Sequence, residues 1–455
     1  MTHRSALRGM LPWLLLLFGL VALMIPQTAA AQESSLRDAP AEAARLRVEL
    51  ETLRTQVTQM QEQIEALRAR NNGSADRQRR DLHGATAAAL RDAERRVSFL
   101  TDPATAGYDN GFFLADAEGN FRLQIGGLLQ FRYLASLRDT APAADPDDSE
   151  FGFNVARSRL NFAGHIHSPR LRYFLQTDAL TDGGTAFVLD AWVDYDLDEQ
   201  GVYTARVGRF KAPFLREFLI SGAKPLAIDR SYLNSLLGVG RVDGAAGYAN
   251  YENARVAASV NDGTGSAATD FDEDAVDVAG SARADFKLLG KWSQYDDFWA
   301  APDEAAALFV GLAIHGELGE TGDSADVADL ASWTVDASYQ ARGWHLYGSA
   351  IGQHRNPEAG AATDQYGFLA QAGYSVTTKF QPYGRYQRFE ADDNGSDVDL
   401  LTAGVNYFFN GQAARLTFDV VYLDDPIVIP AAAIGILADT EGGQVLLRAQ
   451  IQLIF

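Results

Sequence analysis

The sequence predicts an all-β membrane barrel of about 16 antiparallel strands, preceded by an N-terminal α-helical coiled coil. Three observations carry that reading. From Phe121 onward apolar and polar residues alternate in strand-length runs, the connections between runs alternate between short and long, and an upstream stretch repeats its apolar residues every seven positions. Tilted strands of about nine to eleven residues cross a bilayer, and each needs only one apolar face.

Residues 1–31 have the order of a secretory signal peptide. Arg4 and Arg8 begin it, an apolar run fills 11–25, and Ala29, Ala30 and Ala31 offer a small-residue cleavage site. Cleavage before Gln32 is expected, with an uncleaved anchor as the alternative. No long apolar run follows, which excludes helical spans from the remainder. The chain has no cysteine, which removes disulfides, thiolate metal sites and a cysteine nucleophile. Its formal net charge of -21 opposes nucleic-acid binding, because neutralising phosphates needs a basic surface.

Residues 32–100 are the expected periplasmic helical region. Ala43, Leu50, Val57 and Ile64 take one seam of a heptad, and Leu46, Leu53, Met60 and Leu67 take the other. That is a parallel coiled-coil pattern. Its apolar stripe is too narrow for a stable lone helix, so the pattern implies self-association. A helix lying on the protein's own body is the alternative. "NNGS" at 71–74 interrupts it, a weaker Ala/Arg-rich helical stretch runs to about residue 100, and 101–120 is expected as a linker.

The barrel is expected over 121–455. In "FRLQIGGLLQFRY", Phe121, Leu123, Ile125, Leu129, Phe131 and Tyr133 alternate with Arg122, Gln124, Gln130 and Arg132. Neighbouring side chains on a strand face opposite ways, so this strand has one apolar face and one polar, partly cationic face. The pattern recurs in sixteen segments, the last at 442–455. Every second gap is tight, as in "HSPR", "DEQG", "EN", "RG", "TT" and "NGQ", while the others are long and mostly polar or acidic. Residues 289–305 break the rule, being long where a tight turn is expected, and the sequence offers no reason. The chain ends "VLLRAQIQLIF", an alternating strand closed by the aromatic Phe455, which looks like the signature read by the barrel-assembly machinery. Such a strand is expected to pair with the first, leaving no open edge in the membrane.

Positive charge concentrates in one place. Between positions 206 and 241 stand seven basic residues, Arg206, Arg209, Lys211, Arg216, Lys224, Arg230 and Arg241, against Glu217 and Asp229. The run "ARVGRFKAPFLREFLISGAKPLAIDRSYLNSLLGVGR" resembles the corresponding stretch of the phosphate-selective porin O/P family, with its V-G-x-F-K-x-P-F pattern and a downstream Arg-Ser. "GFNVARSRLNFAGHI" at 152–166 and "LDAWVDYDL" at 189–197 are similar to that family's second and fourth strands, and the resemblance covers about 121–455.

The resemblance implies an outer-membrane porin whose longest loop, 211–243, folds into the lumen, and a homotrimer embedded in outer-membrane lipid. It implies passive diffusion of small anions or other small hydrophilic solutes, without catalysis, cofactor or metal. The seven basic residues are then expected at the pore constriction as the anion-binding set. Arg122, Arg132, Arg157, Arg159 and Arg385 are expected as basic wall residues. Lys and Arg lining a low-dielectric channel raise the local anion concentration, and Arg offers phosphate a fork of donors. Phosphate selectivity is the finer expectation. Asp190, Asp194 and Asp196 also point inward on their strand and oppose the preference. The alternative is a general or weakly cation-selective porin whose coiled coil tethers the outer membrane to the cell wall. His165 and His167 share a strand face but have no nearby third ligand, and the acidic 261–277 loop lacks the ligand order of a calcium site.

Overall fold

A computed structural model describes residues 105–455, except 110, 143–146, 180–185, 266–275, 277, 320–327, 358–360, 393–396, 428 and 440–441, together with most of 51–60. The expected signal peptide and most of the expected coiled coil lie outside the described residues. The chain divides into two units, 1–98 and 99–455. In the first, the described positions between 51 and 60 are helical and exposed, Met60 among them. Thr55 and Thr58 hydroxyls donate to the carbonyls of Glu51 and Arg54, the back-bonding that threonine favours inside a helix.

The second unit is a closed barrel of sixteen antiparallel strands, β3 to β18. These are β3 (Arg122–Leu137), β4 (Ser149–Ile166), β5 (Ser168–Ala179), β6 (Ala186–Asp196), β7 (Tyr203–Lys211), β8 (Arg241–Asn250), β9 (Ala254–Asn261) and β10 (Val278–Leu289). Then come β11 (Ala307–Leu318), β12 (Ala328–Ala341), β13 (Trp344–Pro357), β14 (Thr363–Tyr374), β15 (Phe380–Ala391), β16 (Val398–Asn410), β17 (Ala414–Leu423) and β18 (Gln444–Ile454). Each pairs with its sequence neighbour, and β18 returns to β3 from Leu128↔Ile454 to Leu137↔Val445. Closure satisfies every strand edge, which the hydrocarbon interior demands. Phe455 completes the seam. Its backbone exchanges hydrogen bonds with Gly127 at 2.7 and 3.1 Å, and a Cβ on Gly127 would stand 2.3 Å from its ring.

Within the 101–120 stretch the chain forms a hairpin, β1 (Thr105–Tyr108) and β2 (Phe112–Ala115). β2 pairs with Arg122 to Ile125, the part of β3 that lies before the reach of β18. The tight turns carry the backbone strain expected of them, with His167 at φ 62 and Arg342 at φ 49. His165 Nε2 meets the Gly119 carbonyl at 3.0 Å. Among the described residues no three His, Asp or Glu side chains are grouped as metal ligands.

Burial alternates along the strands, but in the sense of a membrane barrel. Outward positions such as Leu312, Ile314, Trp333 and Val335 are exposed and apolar, while inward Arg283, Asp336, Gln450 and Gln452 are buried and polar. This is the lipid-facing and lumen-facing alternation of an outer-membrane barrel.

The β7–β8 connection, 212–240, folds into the lumen and carries two short helices, α1 (Arg216–Leu219) and α2 (Tyr232–Leu237), the second capped by the Ser231 hydroxyl. Its Phe214, Leu215, Leu226, Leu233 and Leu237 form one apolar core with inward residues of β13 to β18, including Tyr347, Ile351, Leu369, Phe389, Leu400 and Val421. That half of the lumen is therefore filled. Each large side chain so buried gains about 1.5–3 kcal/mol over exposure to water.

The unexplained 289–305 stretch also folds inward. It begins with a third helix, α3 (Trp292–Tyr295). Tyr295 packs edge-on against Phe309 of β11 at 5.4 Å, and Phe298 lies 4.9 Å from the ring of Tyr347 on β13. Gln340 of β12 donates to the carbonyls of Gln294 and Asp297. The aromatic content of this stretch explains its length, because it supplies rings that cover the apolar core from the opposite mouth.

Candidate functional site: the pore constriction

The site begins with the strands that aim its charges. On β7, Thr204 and Arg206 turn inward while Tyr203 and Val207 are exposed outward. Arg206 forms a fork with Asp194 of β6 at 2.7 and 2.9 Å and lies 3.7 Å over the Trp192 ring. Gly208, at φ 118, lets the backbone approach β6 closely; a Cβ there would stand 2.2 Å from the Ala191 carbonyl oxygen. Arg209 pairs with Asp243 at 2.6 Å, Arg241 with Asp190 at 2.8 Å, and Arg172 with Asp196. The three inward acids of β6 are thus each matched by an arginine.

Lys211 and Arg230 differ from these. Lys211 Nζ donates to the carbonyls of Phe218, Leu219 and Ile220 at 2.8 to 3.1 Å. The Arg230 guanidinium donates to the carbonyls of Glu217, Phe218 and Ile220. Both gather on the C-terminal carbonyls of α1, a site that favours cations. Neither has a carboxylate ion-pair partner among the described residues. Burial, followed by the neighbouring Arg157 guanidinium, lowers Arg230 to about 9, so it remains cationic at neutral pH.

The loop is moored across the lumen by arginines. Arg132 of β3 forks onto Asp229 at 2.7 and 2.9 Å, Arg157 of β4 reaches it at 3.1 Å, and Arg448 of β18 lies 3.7 Å away. Burial alone would raise the Asp229 carboxyl, but these three charges prevail and hold it below the usual carboxylate range. Arg385 of β15 donates to the Asp229 carbonyl and pairs with Glu217 at 3.3 Å. Arg415 and Asn406 hold the Pro225 and Leu226 carbonyls, and Gln130 and Gln452 those of Gly222 and Ala223. Burial pushes the Tyr232 phenol up to about 12.

The sequence-predicted residues therefore fall into groups. Lys211, Arg230, Arg241, Arg157 and Arg159 lie together on the β4–β8 side; Arg159 is paired with Asp178 at 2.7 Å. Arg132 and Arg385 are buried on the loop. Arg216 is 1 % exposed, donating to Ser338 Oγ and the Tyr295 carbonyl with its guanidinium 3.9 Å over the Tyr295 ring. Lys224 is partly exposed and lies 3.6 Å from Asp297. Arg122 stands apart near the end of β3, paired with Asp109. Sequence reasoning missed the anchoring role of Asp229, the inward Arg448 and the 289–305 stretch. The alternation of "VLLRAQIQLIF" could have placed Arg448 inward, the unexpected length of 289–305 marked that stretch without giving its role, and nothing local marks Asp229.

Around the loop the basic side chains Arg132, Arg157, Arg159, Lys211, Arg230, Arg241, Arg385, Arg415 and Arg448 gather, with the carboxylates Asp178, Asp190, Glu217, Asp229 and Asp419 paired among them. Beneath the loop a cavity of about 1060 Å³ extends along the β4–β10 side to residues at the tight-turn mouth, with Arg159, Asp190, Arg206, Lys211 and Tyr248 in its wall.

A family model for phosphate-selective porin O and P matches residues 130–425, which includes this loop and most of the barrel. The chain belongs to that family. It is an outer-membrane β-barrel channel, and the family and fold are those of non-enzymatic channels. The fold is similar to an anion-selective porin from Comamonas acidovorans, with a TM-score of 0.54 at 15% identity, covering 74% of this chain and 100% of that one. It is also similar to OmpT of Vibrio cholerae in a trimer form (TM-score 0.50, 14% identity, 74% and 99% covered). Salmonella typhi OmpF, in a complex with daunomycin, matches with a TM-score of 0.50 at 13% identity, covering 77% and 100%. An uncharacterized protein of Aquifex aeolicus is 31% identical over 70 residues, and this chain spans about a sixth of its length, 17%.

Proposed function

We propose that this porin passes small hydrophilic anions down their gradients, with phosphate among them. The observation that carries the reading is Arg230, whose charge rests on backbone carbonyls rather than on carboxylates, with Lys211 Nζ donating to two of the same carbonyls. A carbonyl stabilises a cation without cancelling it, so the positive potential stays available to a passing anion. The similarity to an anion-selective porin supports the same sign. In this reading Lys211, Arg230, Arg241, Arg157 and Arg159 form the anion path, with Arg206, Arg209 and Lys224 beside it. Arg132, Arg216 and Arg385 clamp the loop. The protein works as a homotrimer, supported by the trimer form of a structural relative and by the self-association that the 43–67 heptad pattern implies.

The test is reversal potential in asymmetric KCl across planar bilayers, then repeated with inorganic phosphate. Wild type is expected to prefer chloride. One unit charge about 4 Å from the ion is worth about 1 kcal/mol through water and up to about 4 kcal/mol at a surface-like dielectric. Arg230→Met should therefore lower the anion-to-cation permeability ratio at least about fivefold, and Arg230→Lys should restore it. A cation-preferring wild type, or an unchanged ratio in Arg230→Met, refutes the anion path. Phosphate that fails to reduce chloride current removes phosphate from the substrates.

A further inference from the structure

The 289–305 connection enters the lumen from the mouth opposite the pore loop, and the two segments touch. Arg216 donates to the Tyr295 carbonyl, Arg283 donates to both the Phe214 carbonyl and Tyr295 Oη, and Lys224 lies 3.6 Å from Asp297. Gln412 in the β16–β17 turn donates to Asp297 Oδ1 at 2.9 Å, so the segment reaches from β10 across to the far wall. Phe298 is 1 % exposed within the apolar core shared with the loop. The β11–β17 half of the lumen is thus covered from both ends, and the open cavity runs on the other side. Asp296 and Asp297 stand in the wall of that cavity, with Arg255 3.8 Å from Asp296.

We propose that this segment is a second specificity element of the pore, in which Asp296 and Asp297 oppose the basic cluster and release the anions it gathers. A channel conducts only when a binding site is attractive enough to fill and weak enough to empty. A basic cluster with nothing after it would hold a multivalent anion such as phosphate. Two carboxylates placed next along the path lower that affinity. Their net effect is limited by Lys224 and Arg255, which face them from the pore loop and from β9. Burial holds the Asp297 carboxyl above the usual range, with Lys224 opposing it. The aromatic part of the segment holds the two carboxylates in place, which gives its length a purpose that a tight turn could not serve.

The inference rests on the anion path proposed above. Asp296→Asn/Asp297→Asn should raise the anion-to-cation permeability ratio about fivefold per charge, the effect of one unit charge at about 4 Å through water. Inorganic phosphate should then block chloride current at a correspondingly lower concentration. Asp296→Asn alone provides the variant safe for folding, because that side chain is more than half exposed. Folding is checked by the heat-dependent gel mobility of the barrel. A folded variant with wild-type reversal potential and wild-type phosphate block overturns the proposal. A cation-preferring wild type would refute the anion reading and this role with it, whereas an anion-preferring wild type with an unshifted variant overturns this proposal alone.

Discussion

Asp229→Asn should undock the pore loop while leaving the barrel closed. Asp229 is 2 % exposed and is the shared partner of Arg132, Arg157 and Arg448. Asparagine keeps the shape, but it removes the charge and turns one acceptor into a donor facing a guanidinium. Breaking a buried ion pair from one side costs about 3–5 kcal/mol, because the remaining charge stays buried without compensation. At about 1.4 kcal/mol per decade, the open population of the loop rises by roughly two to three and a half powers of ten. The barrel ladders are untouched, so the change is local. Amide hydrogen exchange reads it directly: protection over 212–240 should fall by about that factor, with β11 to β14 unchanged. Open-channel current should become noisier as the loop samples undocked positions. The carboxyl is held low in the folded state, so its stabilisation is present above the unfolded carboxylate value and is lost only as pH falls through the still lower folded one. Wild type should therefore keep its loop protection down to about pH 4, the ordinary carboxylate value. Equal protection in wild type and Asp229→Asn would refute the reasoning.

Two further outcomes follow from the same geometry. Burial raises Asp297, so it takes up a proton at a higher pH than an ordinary carboxylate and loses negative charge earlier as the solution is acidified. Reversal potentials should move toward anions as the pH is lowered from neutrality, and Asp296→Asn/Asp297→Asn should flatten that profile; a profile unchanged by the variant would show that other groups titrate. Gly208→Ala forces a Cβ to 2.2 Å from the Ala191 carbonyl oxygen at a φ of 118. A residue held in such a region costs about 1–3 kcal/mol before the clash is counted, so the yield of heat-modifiable folded barrel should drop sharply, and a wild-type yield would show that β6 and β7 can separate there.

Much of this protein follows from local rules. Period-two alternation found each barrel strand, because a strand between lipid and a water-filled lumen has chemically opposite faces whatever its neighbours. The short-and-long rhythm of the connections gave the topology, and "VLLRAQIQLIF" gave the closing strand, now seen paired to β3. The basic run from Arg206 to Arg241 marked the loop. What the sequence could not divide was the set of cations within it. Lys211 and Arg230 end on carbonyls, Arg241 on Asp190 and Arg216 on Ser338 and Tyr295, partners lying from 7 to 122 positions away. The purpose of 289–305 was hidden for the same reason, since Phe298 and Asp297 acquire meaning only against Tyr347, Gln412 and Lys224. Alternation along one chain segment determines which way a side chain points. Only the closed barrel decides what it meets there, because the partners are brought together by closure and not by spacing.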